Sequence, residues 1–373
     1  MKKDKTAAKP SRDRVKVNRA DFLAALESCK PGLSPKGIIE QSNCYVFTKG
    51  RVVTYNENVS CRCPSGLPKE FTGAVLATPL LSVLHKLKTE DVYVKKHGET
   101  MVVSGGRDKA RIRFQAEVKL PYTNVDQPTT WDELPEDFTQ AVSIVQACAG
   151  KDTEKLFLTC VNLHPKRIEA CDDYQLTRYR IKTGLKKAFM VKRDSIKHVI
   201  PFDMTEISES LTWVHFRNPS GLVISCQRFV EEFPDLSEWI TNAKGVPTPL
   251  PKGLSEAGEF CQIFTKDNEE EDDQVLINLS AGELRMTGVG DAGEAESSRK
   301  IRYKGKSMAF MISPTLLTEI TKRHTECEIS KDFIKVDGGK WVYVACLGSP
   351  EDVKAEAEEK AHKADDEDLG DDE

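Results

Sequence analysis

The sequence predicts an α+β fold made of three similar units in one chain, on three observations. Three stretches open on an acidic residue and Phe and then run on at helical spacing: Asp21-Phe22, Asp137-Phe138 and Glu259-Phe260, the phenylalanines 116 and 122 residues apart. Three strand-then-helix segments recur in the later part of each unit, at residues 74–88, 188–200 and 309–324. Two proline-rich stretches, 120–136 and 241–253, fall near the thirds of the 373-residue chain. Proline lacks a backbone donor, so such stretches make poor element interiors and natural joints. The expected boundaries are therefore a basic, disordered arm at 1–13, units at 14–124, 131–242 and 250–350, and an acidic, disordered tail at 351–373.

The first run of each unit reads as a helix packed on a core. It aligns Phe22, Ala25, Leu26 and Cys29, then Phe138, Ala141, Val142, Val145 and Cys148, then Ala257, Phe260, Cys261 and Phe264. The second segments pair a short apolar strand with an amphipathic helix, and Phe189, Met190 and Val191 correspond to Phe310, Met311 and Ile312. Short alternating strands follow each helix, with turns at His97-Gly98, 218–221 and 337–339.

Composition excludes several classes. The chain is 39% hydrophobic and 30% charged with net charge −5, and holds no apolar run near the ~20 residues that span a bilayer. Residues 1–19 are polar and basic, so no signal peptide is expected. Eleven cysteines, an odd number with one close pair at Cys61 and Cys63, read as free thiols in a reducing cytosol. Charge is polarised: residues 1–19 carry net +6 and residues 351–373 net −9. Catalytic signatures are missing. The glycines at 104–111 read as a hairpin, those at 287–294 precede no apolar helix, and Asp172-Asp173 reads as a turn between strands. No catalytic residue, metal or cofactor is expected.

The second helices carry basic polar faces: His85, Lys86 and Lys88; Lys192, Arg193, Lys197 and His198; Lys322, Arg323 and His324. Three such helices at equivalent positions suit a polyanion, bound through phosphates and without base selection.

At this point the chain resembles a known family, the bacterial or phage DNA polymerase III beta subunit, the DNA sliding clamp. Residues 169–181, EACDDYQLTRYRI, resemble the family's strand–turn–strand of the form ATDGHRLA, and residues 228–240, RFVEEFPDLSEWI, resemble its EGEFPDY segment. The resemblance covers roughly residues 14–350. It implies the DNA clamp fold, with two helices and outer β-sheets in each of three domains and a head-to-tail dimeric ring. It further implies a non-enzymatic processivity factor that encircles double-stranded DNA and binds a DNA polymerase and a clamp loader through short peptide motifs. Its place would be the cytoplasm, nucleoid-associated, or the host cytoplasm if phage-encoded, with no membrane partner.

Carried over by position, the partner-peptide pocket would use Leu158, Cys171, Asp173, Tyr174, Gln175, Leu176, Pro234, Trp239, Val344, Cys346 and Leu347. The subunit interface would use Ile112 and Phe114, read as edge-strand residues, against Phe260 and Phe264. The chain departs from the family where Asp173-Tyr174-Gln175 replace Gly-His-Arg and where Cys346-Leu347-Gly348 replace Met-Pro-Met. Two rival readings are a clamp-like DNA-binding scaffold that does not close into a ring, and a multidomain enzyme with a dispersed active site.

Overall fold

The structure is a computed structural model that describes residues 14–34, 36–150, 154–265, 274–290, 293–312 and 314–348. Both expected tails lie outside the described residues. The chain divides into two compact units, residues 1–168 with 181–233, and residues 169–180 with 234–373.

The first unit opens with a strand that the sequence pattern did not announce, β1 (Arg14–Asn18), followed by α1 (Arg19–Ser28). The Asn18 side chain accepts a hydrogen bond from the Asp21 N–H at 3.1 Å and caps α1. Phe22, Leu26 and Cys29 are buried, as the periodicity predicts. Next come β2 (Cys44–Thr48), β3 (Arg51–Tyr55), β4 (Val59–Pro64), β5 (Gly73–Leu76), α2 (Ala77–Lys86), β6 (Asp91–His97), β7 (Thr100–Gly105) and β8 (Asp108–Gln115). These strands form one antiparallel ladder, β1–β6–β7–β8–β5–β2–β3–β4.

The ladder continues into later sequence. After β9 (Asp132–Glu133), α3 (Phe138–Val145) and β10 (Cys160–His164), β11 (Arg167–Cys171) and β12 (Gln175–Arg180) lead toward the second unit. The first unit resumes with β13 (Phe189–Lys192), α4 (Arg193–Ile196), β14 (Glu206–Glu209), β15 (Trp213–Arg217) and β16 (Val223–Phe229). β16 pairs with β4, so Val223 faces Arg62 and Cys226 faces Val59. The stretch 120–136, expected as a linker, is a packed strap. Leu120 and Val125 share a buried cluster with Tyr55 and Trp213, whose rings lie 6.1 Å apart. The helix expected within 188–200 is a single turn, α4, finished by a 3-10 turn over Lys197–Val199. Ile196, Val199 and Ile200 are β-branched and Pro201 follows, so nothing favours propagation.

The second unit adds α5 (Ser237–Asn242), β17 (Val246–Pro249), α6 (Leu254–Cys261), β18 (Val275–Ser280), β19 (Glu283–Gly290), β20 (Gly293–Lys300), β21 (Met308–Ile312), α7 (Pro314–Arg323), β22 (Glu326–Ile329), β23 (Phe333–Asp337) and β24 (Trp341–Cys346). One sheet runs β17–β22–β23–β24–β12 and a second runs β20–β19–β18–β21. The proline-rich stretch 241–253 thus contains a strand. Pro247 and Pro249 sit on β17 at the sheet's edge, where a missing N–H costs little.

One expectation changes, at Phe260, close to a tight approach at Gly288. The glycines near 288 serve packing: a β-carbon on Gly288 would lie 2.0 Å from the Cys261 carbonyl oxygen at the end of α6. On α6 the buried face is Leu254, Ala257, Gly258 and Cys261, and Phe260, expected in the core, is half exposed.

Candidate functional site

The second unit assembles most of the residues expected to hold a peptide. At the turn between β11 and β12, Asp172 Oδ1 accepts hydrogen bonds from the backbone N–H of Tyr174 and of Gln175, both at 2.8 Å, which fixes a tight turn as the sequence predicts. The Asp172 N–H donates to the Gln175 carbonyl at 3.0 Å, so Cys171 falls opposite Leu176 and Glu169 opposite Arg178. β12 then pairs with β24, placing Leu176 beside Val344 and Arg178 beside Val342, and β24 pairs with β23, placing Lys335 beside Val344 and Phe333 beside Cys346. Directly opposed residues share a face. Leu176, Arg178, Val344, Cys346, Phe333 and Lys335 therefore point to one side of this sheet.

On that side lies α5. The Arg178 guanidinium reaches it from β12: Nη1 donates to Ser237 Oγ at 2.9 Å and Nη2 lies 3.5 Å from Asp235 Oδ1. Arg178 is oriented from behind by Glu169, buried to 1% exposure, whose Oε2 accepts from Nε at 2.7 Å. Asp235 also accepts from the Ser237 hydroxyl at 2.6 Å and the Ser237 N–H at 3.0 Å. These bonds, with Arg178 beside them, hold its carboxyl below the usual range. From β23, Lys335 Nζ donates to the carbonyls of Ile240 and Ala243, at 3.2 and 3.1 Å, closing the helix C-terminus. A six-residue helix is marginal alone. Pinned at both ends from two strands, α5 presents Trp239 to solvent, 67% exposed.

The structure sorts the eleven expected pocket residues. Cys171, Leu176, Val344 and Leu347 are buried in the second unit; Trp239, Tyr174, Asp173 and Cys346 are exposed there; Pro234 is half-buried at the start of the α5 segment. Burial pushes the Cys171 thiol up to about 12, with Asp172 and Glu169 adding to it, so it packs as an inert apolar group. Gln175 turns to the opposite face, donating to Asp172 Oδ2 at 2.8 Å and accepting from the Tyr343 hydroxyl at 3.1 Å. It is a turn-building residue and does not share the Trp239 side. Leu158 is buried in the first unit.

The basic residues divide too. His85, Lys86, Lys88 and Lys197 are exposed in the first unit, His85 3.1 Å from Glu27 and Lys197 paired with Asp194. Arg193 instead donates to the Ala149 carbonyl at 2.7 Å, and Lys192 lies 5.8 Å over the Phe229 ring. Burial, with Lys197 beside it, lowers the His198 pKa. In the second unit His324 stacks edge-on against Trp341 at 4.6 Å. The side chains of Lys322 and Arg323 lie outside the described residues. At the expected interface, Phe260 is 51% exposed beside Ile263, and Phe264 is half-buried. Ile112 and Phe114 are both buried, Phe114 against Phe71 at 5.6 Å, because they occupy the inward register of β8, which pairs with β7 on one side and β5 on the other. No group of His, Cys, Asp and Glu that would hold a metal occurs among the described residues.

No family model and no curated protein matches the chain. Solved structures do. A sliding clamp of Bartonella birtlesii aligns with TM-score 0.76 and 14% identity, and a DNA polymerase III beta chain of Streptococcus pneumoniae with 0.75 and 14%, each covering 90% of this chain and 99% of that one. The beta subunit of Thermotoga maritima aligns with 0.73 and 15%, over 90% and 98%. This chain has the sliding-clamp fold. What the sequence missed on the clamp scaffold is the support around α5: Arg178 and Lys335 read as ordinary strand residues. The one available signal was Glu169, an acid set between Ile168 and Ala170 on β11.

Proposed function

We propose that the chain is a DNA sliding clamp, a non-enzymatic polymerase processivity factor of the bacterial or phage type. The observation that carries this reading is the clamp fold over 90% of the chain. In this reading residues 14–124, 131–242 and 250–350 are three clamp domains, and two chains join head to tail into a homodimeric ring around double-stranded DNA in the cytoplasm. Association that closes by rotation gives a ring and not a filament. The exposed Phe260 and Ile263 supply the apolar contact of one side. The exposed basic residues after and within the second helices, His85, Lys86, Lys88 and Lys197, touch phosphates without choosing bases. The face carrying Leu176, Val344 and Trp239 takes a short peptide from a DNA polymerase or clamp loader, with Trp239 as the aromatic anchor.

The test is retention on DNA loaded by a cognate loader. A ring stays on nicked circular DNA at salt that strips electrostatic contacts, and slides off once the circle is linearised. Equal loss from both forms at the same salt defeats the topological reading.

A further inference from the structure

The face that carries Leu176, Val344 and Trp239 ends between two turns that bring carboxylates to it. The Cys346 N–H donates to the Tyr174 carbonyl at 2.7 Å, and the Leu347 N–H to the Asp332 carbonyl at 3.0 Å. The β11–β12 turn, with Asp172 and Asp173, and the β22–β23 turn, with Asp332, therefore flank the end of β24 on its two sides. On α5, Glu238 precedes Trp239. Asp173, Asp332 and Glu238 are exposed, as are Tyr174 and Trp239. The cations on this side do not offset the acids. Arg178 is taken up by Glu169 and Ser237, and Lys335 by the carbonyls of Ile240 and Ala243. Lys331 lies 3.8 Å from Asp332, both exposed, a pair that contributes little. The side chains of Asp173 and Glu238 have no hydrogen bond or ion pair among the described residues. The Cys346 thiol, between the two turns, is raised by burial and then by Asp172 and Asp332, as a negative surrounding requires. From Gly348, bonded across to Met311, the chain runs on into residues 351–373, which carry net −9.

Resting on the reading of this face as a peptide site, we propose that its partner is a cationic peptide: an apolar centre packs on Trp239, and flanking lysine or arginine meets Asp173, Asp332 and Glu238. Aromatic packing supplies affinity to any apolar centre. Selection falls to the rim, where like charge repels and opposite charge attracts and speeds encounter. A glutamate-flanked peptide meets its own sign at both turns and on α5. A lysine-flanked one meets carboxylates that the fold leaves unpaired or weakly paired. All of these residues lie in the second unit, so the preference belongs to that unit by itself.

The probes are three labelled nonapeptides with a common Ser-Leu-Phe-Leu-Ser centre and two lysines, two glutamines or two glutamates at each end, titrated with the full chain by fluorescence anisotropy. At about 0.01 M salt, where the screening length is about 30 Å, the lysine peptide should bind at least about tenfold more tightly than the glutamate peptide. At about 1 M salt, where it is about 3 Å, the two should agree within about twofold. In Asp173→Asn/Asp332→Asn/Glu238→Gln the low-salt ratio should fall at least about threefold. Trp239→Ala should weaken all three peptides by a common factor. A ratio near one in the parent overturns the inference. A ratio that survives in the triple variant assigns the attraction to the charge of the whole chain and overturns it equally. In both cases a common loss in Trp239→Ala keeps the peptide reading itself. No binding of any probe, or binding indifferent to Trp239→Ala, defeats that reading and the inference with it.

Discussion

Two three-stranded regions of this protein are built alike and finished differently. In the first unit β6–β7–β8 turns Val92, Val94, Met101, Val103 and Ile112 inward; in the second, β18–β19–β20 turns Val275, Ile277, Leu279, Leu284 and Met286 inward. The outward registers part company. One side is nearly all cationic. The other mixes signs, with Arg285 3.7 Å from both Glu283 and Glu296 and with Glu294 and Lys300 on the same strand pair. Inward alternation specifies the fold, because a one-residue slip would bury the charges. The outward register is free to differ, and there function is set. In the second unit one exposed aromatic, Trp239 on α5, is held in place by a buried charge pair, Glu169 with Arg178.

The largest expected effect tests that buried charge. Glu169→Leu leaves the Arg178 guanidinium, 13% exposed, without its rear partner, and breaking a buried pair on one side costs about 3–5 kcal/mol. The urea midpoint of the second unit's transition should fall accordingly, and the double variant Glu169→Leu/Arg178→Met should recover most of it. A midpoint within 1 kcal/mol of the parent, on the same scale, would show that the pair is not a support.

The first unit has its own buried titratable group. His215 on β15 is fully buried, its Nδ1 2.8 Å from Ser225 Oγ and its Nε2 3.3 Å from Ser210 Oγ. Burial, with Arg62 nearby, lowers its pKa to about 4. The folded ring is neutral, while an unfolded His takes a proton below about 6.5. The unfolded state then binds more protons, so stability is full above pH 6.5 and falls as the pH drops toward 4, by up to about 3 kcal/mol. In His215→Asn the first unit should lose this part of its acid sensitivity. Parallel pH profiles for parent and variant, measured by urea unfolding, would remove His215 as the cause.

These two sites also mark what the sequence could and could not disclose. The alternation of β6–β8, β15 and β16, and the core face of α3, were legible because period-2 and period-3.6 patterns record burial directly. The short α4 has a local cause, but two other misreadings arise from a neighbour in distant sequence. Phe260 fits the helical stripe, yet α6 turns Gly258 inward beside Ala257, and Gly258 sits against Pro314 and Leu317 of α7. Prolines 247 and 249 signal a break, yet β22 offers an edge on which their lack of a donor does no harm. The cradle of α5 joins residues 169, 178, 235 and 335, and no local pattern couples positions so far apart.

A third prediction sharpens the contrast at the anchors. Trp239→Ala removes an exposed aromatic that no fold contact requires, so unfolding should be unchanged, while affinity for a clamp-binding peptide should fall at least about tenfold. Isothermal titration with such a peptide decides it: equal affinity removes Trp239 from the binding face. A parallel change, Phe260→Asp with Ile263→Asp, should shift the mass in solution from dimer to monomer at micromolar concentration. A dimer that persists would place the subunit contact elsewhere.

The smallest effect returns to the two sheets and carries opposite signs on them. Arg285 has acids on both sides, so Arg285→Ala deletes weak attractions and leaves like charges facing each other. Exposed pairs at this distance contribute little, and a loss below about 0.5 kcal/mol is expected. On β8 the neighbours of Arg111 are other cations, so Arg111→Ala relieves repulsion and should raise stability by a few tenths of a kcal/mol. Salt brings the two together, because screening weakens attraction on one face and repulsion on the other. From low to high ionic strength, the Arg285→Ala penalty and the Arg111→Ala gain should both shrink toward zero, read from paired urea midpoints. Should Arg111→Ala destabilise the first unit at low salt, the β8 row would not be a region of uncompensated positive charge, and the difference between the two outward faces would be one of composition alone.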